Sequence, residues 1–366
     1  MQAVILVGGE GTRLRPLTST VPKPVVPLVD RPFIAYMIDW LREQGVDDVI
    51  MSCGFLATGV RNVLGDGAGL GVRLRFVEEP SPRGTAGALK FAEPMLDERF
   101  LMLNGDVLTD IALDGQIAQH ERTGAIATLA LVPVPDPAAY GLVRLAADSA
   151  VEAFIEKPSA DSIDTNLISA GAYVLERSIL ELIPPERNVS IEREVWPLLV
   201  GAGLYGFAAD GYWLDIGSPA RYLQATFDIL EGNVRTPVRA RLSDSWLAID
   251  EHALIEGRVI PPALIERGAK VAAGAHVGSL VVLGEDVSVG AGATVERSVI
   301  LQGARIGERC TVRDCIIAGG ASIGEETTVA GGSVVGEGVV IGAHNVIDHG
   351  ARIFPSVALG DGAIRF

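Results

Sequence analysis

Two hydrophobic patterns divide the chain. In the first, short apolar runs alternate with stretches in which apolar residues return every three or four positions. Residues 3–7 (AVILV) are apolar throughout and predict a strand buried on both faces. Phe33, Ile34, Met37, Ile38 and Leu41 then recur at helical spacing and Gly45 closes the segment, which predicts an amphipathic helix over 32–44. Strands are expected at 48–53, 73–77, 100–103, 125–132, 151–155 and 169–175, with helices at 56–64 and from Pro219 to about Glu231, the last opened by Ser218 as N-cap. Strands alternating with helices imply an α/β fold with a mostly parallel sheet.

The second pattern is a repeat. Ile265, Val271, Val277, Leu283, Val289, Val295 and Leu301 fall at steps of six, often with glycine next. After short slips the step carries Ile317, Ile323, Val329, Val335, Ile341, Ile347 and Ile353. One inward aliphatic residue per six is the hexapeptide pattern of a parallel β-helix, whose triangular coils take three repeats each. Resemblance to hexapeptide domains implies a left-handed one. Between the patterns there is no clear periodicity. The expected organisation is therefore a first domain over 1–232, a linker over 233–250 and a β-helix over 251–366.

A length of 366 residues allows two sizeable cores. A net charge of −16 argues against a nucleic-acid surface, so positive charge must be concentrated wherever an anionic ligand binds. The three cysteines, Cys53, Cys310 and Cys315, form no disulfide framework and favour a reducing compartment. Cys310 and Cys315 lack the second pair or histidine cluster of a metal site and are expected as buried thiols. The chain begins directly on its first strand, and no stretch approaches about 18 uninterrupted apolar residues. The expectation is a cytoplasmic protein that neither spans nor binds a membrane.

Candidate chemistry concentrates at strand ends. GGEGTRLRPLTSTVPKPVVP, residues 8–27, follows the first strand, where open α/β sheets bind ligands. Gly8, Gly9 and Gly11 let backbone N–H groups approach an anion, and Arg13 adds a planar fork of donors suited to phosphate. Lys23 lies between Pro22 and Pro24, a stiff mount for a flexible cation. The stretch is neither a Walker A loop nor a dinucleotide fingerprint. Asp106, in Asn104-Gly105-Asp106, is placed either to hold a divalent cation or simply to start a turn.

Taken jointly, GGxGTRLxPLT and PKPxxP resemble the signature of the sugar-1-phosphate nucleotidylyltransferases, most nearly the mannose-1-phosphate guanylyltransferases. SPRGTAGAL (81–89), NGD (104–106), Tyr140-Gly141, EKP (156–158), SAG (169–171), SIEREVWP (190–197) and WLDIG (213–217) extend the match over 1–231, and the resemblance implies a helix over 190–200. The resemblance implies a nucleotide site at Leu6, Gly8, Gly9, Gly11, Thr12, Arg13, Lys23, Pro82, Gly84, Thr85, Asn104, Gly105 and Asp106. It implies a sugar-phosphate site at Gly141, Glu156, Lys157, Ser169, Gly171 and Trp213. It makes Asp106 and Asp215 ligands of Mg2+ and gives catalysis to Arg13, Lys23, Asp106, Lys157 and Asp215. Two positions depart from the family: Arg83, where leucine is usual, bears on the base, and Ser169, where asparagine is usual, bears on the sugar.

The fold expected is a Rossmann-like nucleotidylyltransferase domain followed by a left-handed β-helix. The reaction implied joins a nucleoside triphosphate, GTP first, to a sugar-1-phosphate such as mannose-1-phosphate and releases pyrophosphate. Transfer of thymidylate to glucose-1-phosphate is the nearest alternative. A silent regulatory subunit is disfavoured because all five charged positions are present. The β-helix is expected to drive homo-oligomerisation; acyl transfer by a histidine base at His276, His344 or His349 is the rival role.

Overall fold

The computed structural model describes residues 1–54 and 57–365. The helix expected over 56–64 is seen as Ala57–Leu64, Leu56 lying outside the described residues. Contacts divide the chain into two compact units: Met1–Gly9 with Ile34–Trp213, and Glu10–Phe33 with Leu214–Phe366.

The first unit is built on a nine-stranded sheet. In chain order its elements are β1 (Gln2–Val7), α1 (Phe33–Glu43), β2 (Asp48–Cys53), α2 (Ala57–Leu64), β3 (Arg73–Glu78), α3 (Gly84–Phe91), β4 (Arg99–Asn104), α4 (Asp114–Thr123), β5 (Ala127–Pro133), β6 (Gly141–Leu145), β7 (Val151–Glu156), β8 (Leu167–Glu176) and β9 (Leu204–Ala208). The order is β7-β6-β8-β4-β1-β2-β3, with β5 paired to β8 and β9. β1 to β4 run parallel to one another, whereas β8 is antiparallel to β4, β5 and β6. The sheet is thus mixed. Ala3 to Ile5 and Phe100 to Met102 have no exposed surface, as continuous apolar runs require in the parallel centre of a sheet.

One expected helix is different in kind. Residues 191–200 form a single π-helical turn, Ile191–Val195, and then one α-helical turn, Trp196–Leu199. Pro197 falls in the first turn of the α-helical segment, where the N–H it lacks would have no intrahelical partner.

In the second unit, α5 (Pro219–Leu230) starts at Ser218, whose hydroxyl accepts from the Arg221 N–H at 3.3 Å. A short helix α6 (Val238–Arg241) and a strand Leu247–Ile249 follow, so the stretch expected as a linker carries structure and the coils begin before residue 251. Three sheets of entirely parallel strands, with seven, seven and six strands, make the left-handed β-helix. The inward residues are those of the six-step pattern, with one correction. Leu283 pairs with Ile300, and Ile300, not Leu301, fills the core. The turn before it, Arg297-Ser298, is one residue shorter than the corresponding Gly278 to Leu280, and the phase slips there.

Cys310 and Cys315 line this core and Cys53 ends β2; all three are free and buried. Burial pushes the Cys53 and Cys315 thiols up to about 12, which keeps them protonated. Among the described residues no helix is long and apolar enough to cross a membrane.

Candidate active site

β1 lies between β2 and β4, so the chain leaves Val7 at the carboxyl edge of the parallel strands. Gly8 and Gly54, which follow β1 and β2, meet backbone to backbone: a Cβ on Gly54 would sit 2.9 Å from the Gly8 carbonyl oxygen. Beside Gly9 the space is open. Facing Gly8 is a residue to which the sequence assigned no role, Glu79. Its Oε1 lies 3.5 Å from where a Gly8 Cβ would be, and only 9% of the residue is exposed. The carboxylate accepts from the Ser52 hydroxyl at 3.2 Å and from the Arg83 N–H at 3.1 Å. Burial raises this carboxyl above the ordinary glutamate range, and those two donors only partly offset it.

The 81–89 segment shows why it needs its small residues. Gly84 takes a φ of 70°, and a Cβ there would lie 2.5 Å from the Val189 carbonyl oxygen. The Thr85 hydroxyl donates to Glu192 and accepts from the Ile191 N–H, each at 2.8 Å, and the Pro82 carbonyl accepts from Asn188 at 3.2 Å. Here Pro82, Gly84 and Thr85 bind α3 to the 188–192 segment. At Arg83, the departure from the family, the guanidinium stacks over the Phe91 ring at 4.6 Å, while its Nε is buried with no hydrogen-bond partner among the described residues.

Around the end of β4 the other positions gather. The Gly105 N–H donates to the Leu6 carbonyl at 3.0 Å, and a Cβ on Gly105 would strike Leu6 and Val7, so the chain turns tightly into the half-buried Asp106. The register of β8 breaks between Ser169 and Tyr173. In that break Gly171, at φ 73°, presses on Asn104, whose Nδ2 would be 3.0 Å from a Cβ. The Ser169 hydroxyl hydrogen-bonds the Tyr173 hydroxyl at 3.0 Å, and Tyr173 also bonds the Asn104 side chain. Tyr173 was no candidate either, because a buried tyrosine on a strand reads as core.

Gly141 pairs with Glu156 across β6 and β7, and the Lys157 N–H donates to the Tyr140 carbonyl at 3.0 Å. Lys157 adopts a φ of 51°, an uncommon value for lysine that turns the chain at the strand end. Burial and the neighbouring Glu192 raise the Glu156 carboxyl, while Lys157 and Arg193 oppose the shift. Trp213 donates from Nε1 to the Ala170 carbonyl at 2.8 Å and meets the Tyr140 ring edge-on at 5.4 Å. Asn104, Gly141, Glu156, Lys157, Ser169, Gly171 and Trp213 are thereby linked within the first unit.

The second unit holds the cationic loop. Gly11, at φ 62°, leaves room for the Lys23 stem, whose Cβ would be 3.0 Å from a Cβ at that glycine. Thr12–Leu14 is a single 3-10 turn with Leu14 buried and Thr12 and Arg13 exposed; Lys23–Val25 is another, entered through an extended Pro22. Arg13 and Asp215 come together at Gly217: a Cβ there would lie 2.9 Å from Arg13 Nη2 and 3.1 Å from Asp215 Oδ2. Two charged groups 202 positions apart in sequence (215 − 13) thus flank one glycine.

A family model for nucleotidyl transferase matches residues 2–232, and one for the GMPPB C-terminal domain matches 259–364. The chain belongs to the nucleotidyl transferase family. It is 35% identical over 100% of its length, and 98% of the relative's, to the mannose-1-phosphate guanylyltransferase of Mycobacterium tuberculosis. It is 33% identical to mannose-1-phosphate guanylyltransferase 1 of Arabidopsis thaliana, over 84% of this chain and 82% of that one. Among solved structures, HddC from Yersinia pseudotuberculosis complexed with GMP-PN is similar at a TM-score of 0.54 and 29% identity, covering 61% of this chain and 97% of HddC. In this nucleotidyl transferase His276, His344 and His349 are all exposed, and His344 faces Glu326 at 3.2 Å.

Proposed function

We propose that this enzyme condenses GTP with mannose-1-phosphate to give GDP-mannose and pyrophosphate. The reading is carried by the full-length relationship to a protein named mannose-1-phosphate guanylyltransferase. Physical support for guanine comes from Glu79. A buried carboxylate offers acceptors only, and guanine presents two adjacent donors, N1–H and the 2-amino group, that such an acceptor matches.

In this reading Leu6, Gly8, Gly9, Gly11 and Thr12 shape the triphosphate site, Arg13 holds the departing pyrophosphate and Lys23 the α-phosphate. Lys157 holds the sugar phosphate, whose oxygen attacks the α-phosphorus in line, and Glu156 accepts from sugar hydroxyls. No protein nucleophile is required: positioning and charge neutralisation supply the acceleration. Asp106 and Asp215 are hard oxygen donors, a chemistry that fits Mg2+ shared with phosphate oxygens and water. When bound, the cation would offset charge on the triphosphate. We further place the protein in the cytoplasm, with residues 1–232 as the catalytic domain and the β-helix as the seat of homo-oligomerisation.

The test is pyrophosphate release over a grid of GTP, ATP, UTP and TTP against mannose-1-phosphate and glucose-1-phosphate. Highest kcat/KM for GTP with mannose-1-phosphate supports the reading. Highest kcat/KM for TTP with glucose-1-phosphate replaces it with the thymidylyl alternative.

A further inference from the structure

We propose that the last coils of the β-helix act directly on the cationic loop, and that Arg352 is a positioning residue for Arg13. Arg352 opens the final strand of its sheet, Arg352–Ile353, where it pairs with Val334. Its Nη1 donates to two backbone carbonyls of the loop, those of Arg13 at 2.9 Å and Arg15 at 2.8 Å. From the turn after Val334–Val335, Glu337 accepts from the Thr20 hydroxyl at 2.6 Å. These bonds span more than 300 positions of sequence, and all lie within the compact unit that Glu10–Phe33 forms with Leu214–Phe366.

The loop is fixed in part by its own bonds. Between Val7 and Phe33 it contains two 3-10 turns and a two-residue strand pair, the Thr18 hydroxyl donates to the Gly11 carbonyl at 2.7 Å and the Ser19 N–H to the Pro16 carbonyl at 3.1 Å, whereas the Arg13 and Arg15 carbonyls are taken by Arg352. Arg241 reaches Asp30 at 2.8 Å, and the Tyr222 hydroxyl reaches the Pro27 carbonyl, so the distal part of the loop is tethered by α6 and α5. The proximal part, which carries Arg13, is held by those local bonds and, from the coils, by Arg352 and Glu337. One guanidinium nitrogen bridging the carbonyls of residues 13 and 15 fixes the 13–14 and 15–16 peptide planes, both just C-terminal to the Arg13 Cα, and so restricts the direction in which its side chain leaves. A charged donor to a carbonyl is among the stronger hydrogen bonds, and the planar guanidinium loses little freedom in making it. The β-helix is therefore part of the machinery that presents Arg13, in addition to any role in assembly.

The kinetic arm rests on the proposed assignment of Arg13 to the triphosphate; a second arm does not. Full-length wild type, Arg352→Ala and Arg352→Lys are compared by amide hydrogen exchange without substrates and by steady-state kinetics. Arg352→Ala is expected to speed exchange about tenfold or more at residues 11–20, with unchanged exchange in the sheet strands and an unchanged melting temperature. It should lower kcat/KM for the triphosphate about five- to tenfold while leaving KM for the sugar phosphate within about twofold; lysine, which keeps the charge, should restore part of it. Unchanged exchange at 11–20 overturns the proposal whatever the substrates prove to be. Faster exchange with unchanged kinetics overturns the positioning role. Wild type that exchanges as expected but turns over none of the substrates would fault the functional reading alone.

Discussion

At the scale of single residues, the account depends on where charge and hydrogen-bonding capacity are fixed. Asp106 leaves the tight turn over β1 half-buried, and Asp106→Asn keeps its shape while removing its charge. It is expected to lower kcat by about a hundredfold or more with an unchanged melting temperature, since loss of one group stabilising the transition-state charge typically costs that much. Wild-type turnover in that variant would refute its role as a metal ligand. Glu79 gives a pH-dependent test. Its carboxyl is raised by burial, and protonation replaces an acceptor with a donor, so as pH falls through that raised value KM for GTP should climb. Glu79→Gln should abolish that limb and shift the GTP to UTP preference toward UTP by about tenfold or more, because an amide both donates and accepts as uracil requires. A variant with the wild-type pH profile and base preference would remove Glu79 from the base site. Ser169 is already bonded to Tyr173, so it offers a sugar less than an asparagine amide would. Selection for mannose-1-phosphate over glucose-1-phosphate is expected to be modest and to rise in Ser169→Asn; a wild-type preference of several hundredfold that the asparagine leaves unchanged would show that position 169 does not read the sugar.

At the scale of elements, strands and helices were legible where composition leaves one choice. The apolar runs of β1, β2 and β4 could only be buried strands, and Ser218-Pro219 could only start a helix. Phase and side-chain destination were less legible. Leu301 satisfied the six-residue step, yet a corner shorter by one residue puts Ile300 inside, because a core position is set by geometry along the coil and not by counting. Thr85 belonged to a nucleotide motif, yet its hydroxyl is used within the fold, on Glu192 and Ile191. Glu79 and Tyr173 gave no signal, since a glutamate before proline reads as a turn and a tyrosine on a strand as core. The same junction gives a stability test. Gly84 combines a positive φ with close approach to Val189, so Gly84→Ala should cost about 1–3 kcal/mol, read by denaturant unfolding. A loss below about 0.5 kcal/mol would mean that α3 can shift away from residues 188–189 at little cost.

At the scale of the molecule, the hexapeptide repeat and the motif order were readable directly, but the membership of the loop was not. Residues 10–33 belong by sequence to the catalytic domain, and by contacts to the compact unit that includes the β-helix. Removal of everything after Glu231 takes away Arg241, Glu337 and Arg352, whose side chains hold the loop from the C-terminal side. The truncated protein should lose at least about tenfold in kcat/KM for the triphosphate, beyond any change in its assembly by size-exclusion chromatography. Full activity in the fragment would show that the loop needs no support from the coils. The central claim, that this chain joins GTP to mannose-1-phosphate, is tested most directly by following purified full-length protein with both substrates and Mg2+ by 31P NMR. The expected result is equal growth of GDP-mannose and pyrophosphate as both substrates disappear; GTP and mannose-1-phosphate that remain unchanged under those conditions would contradict it.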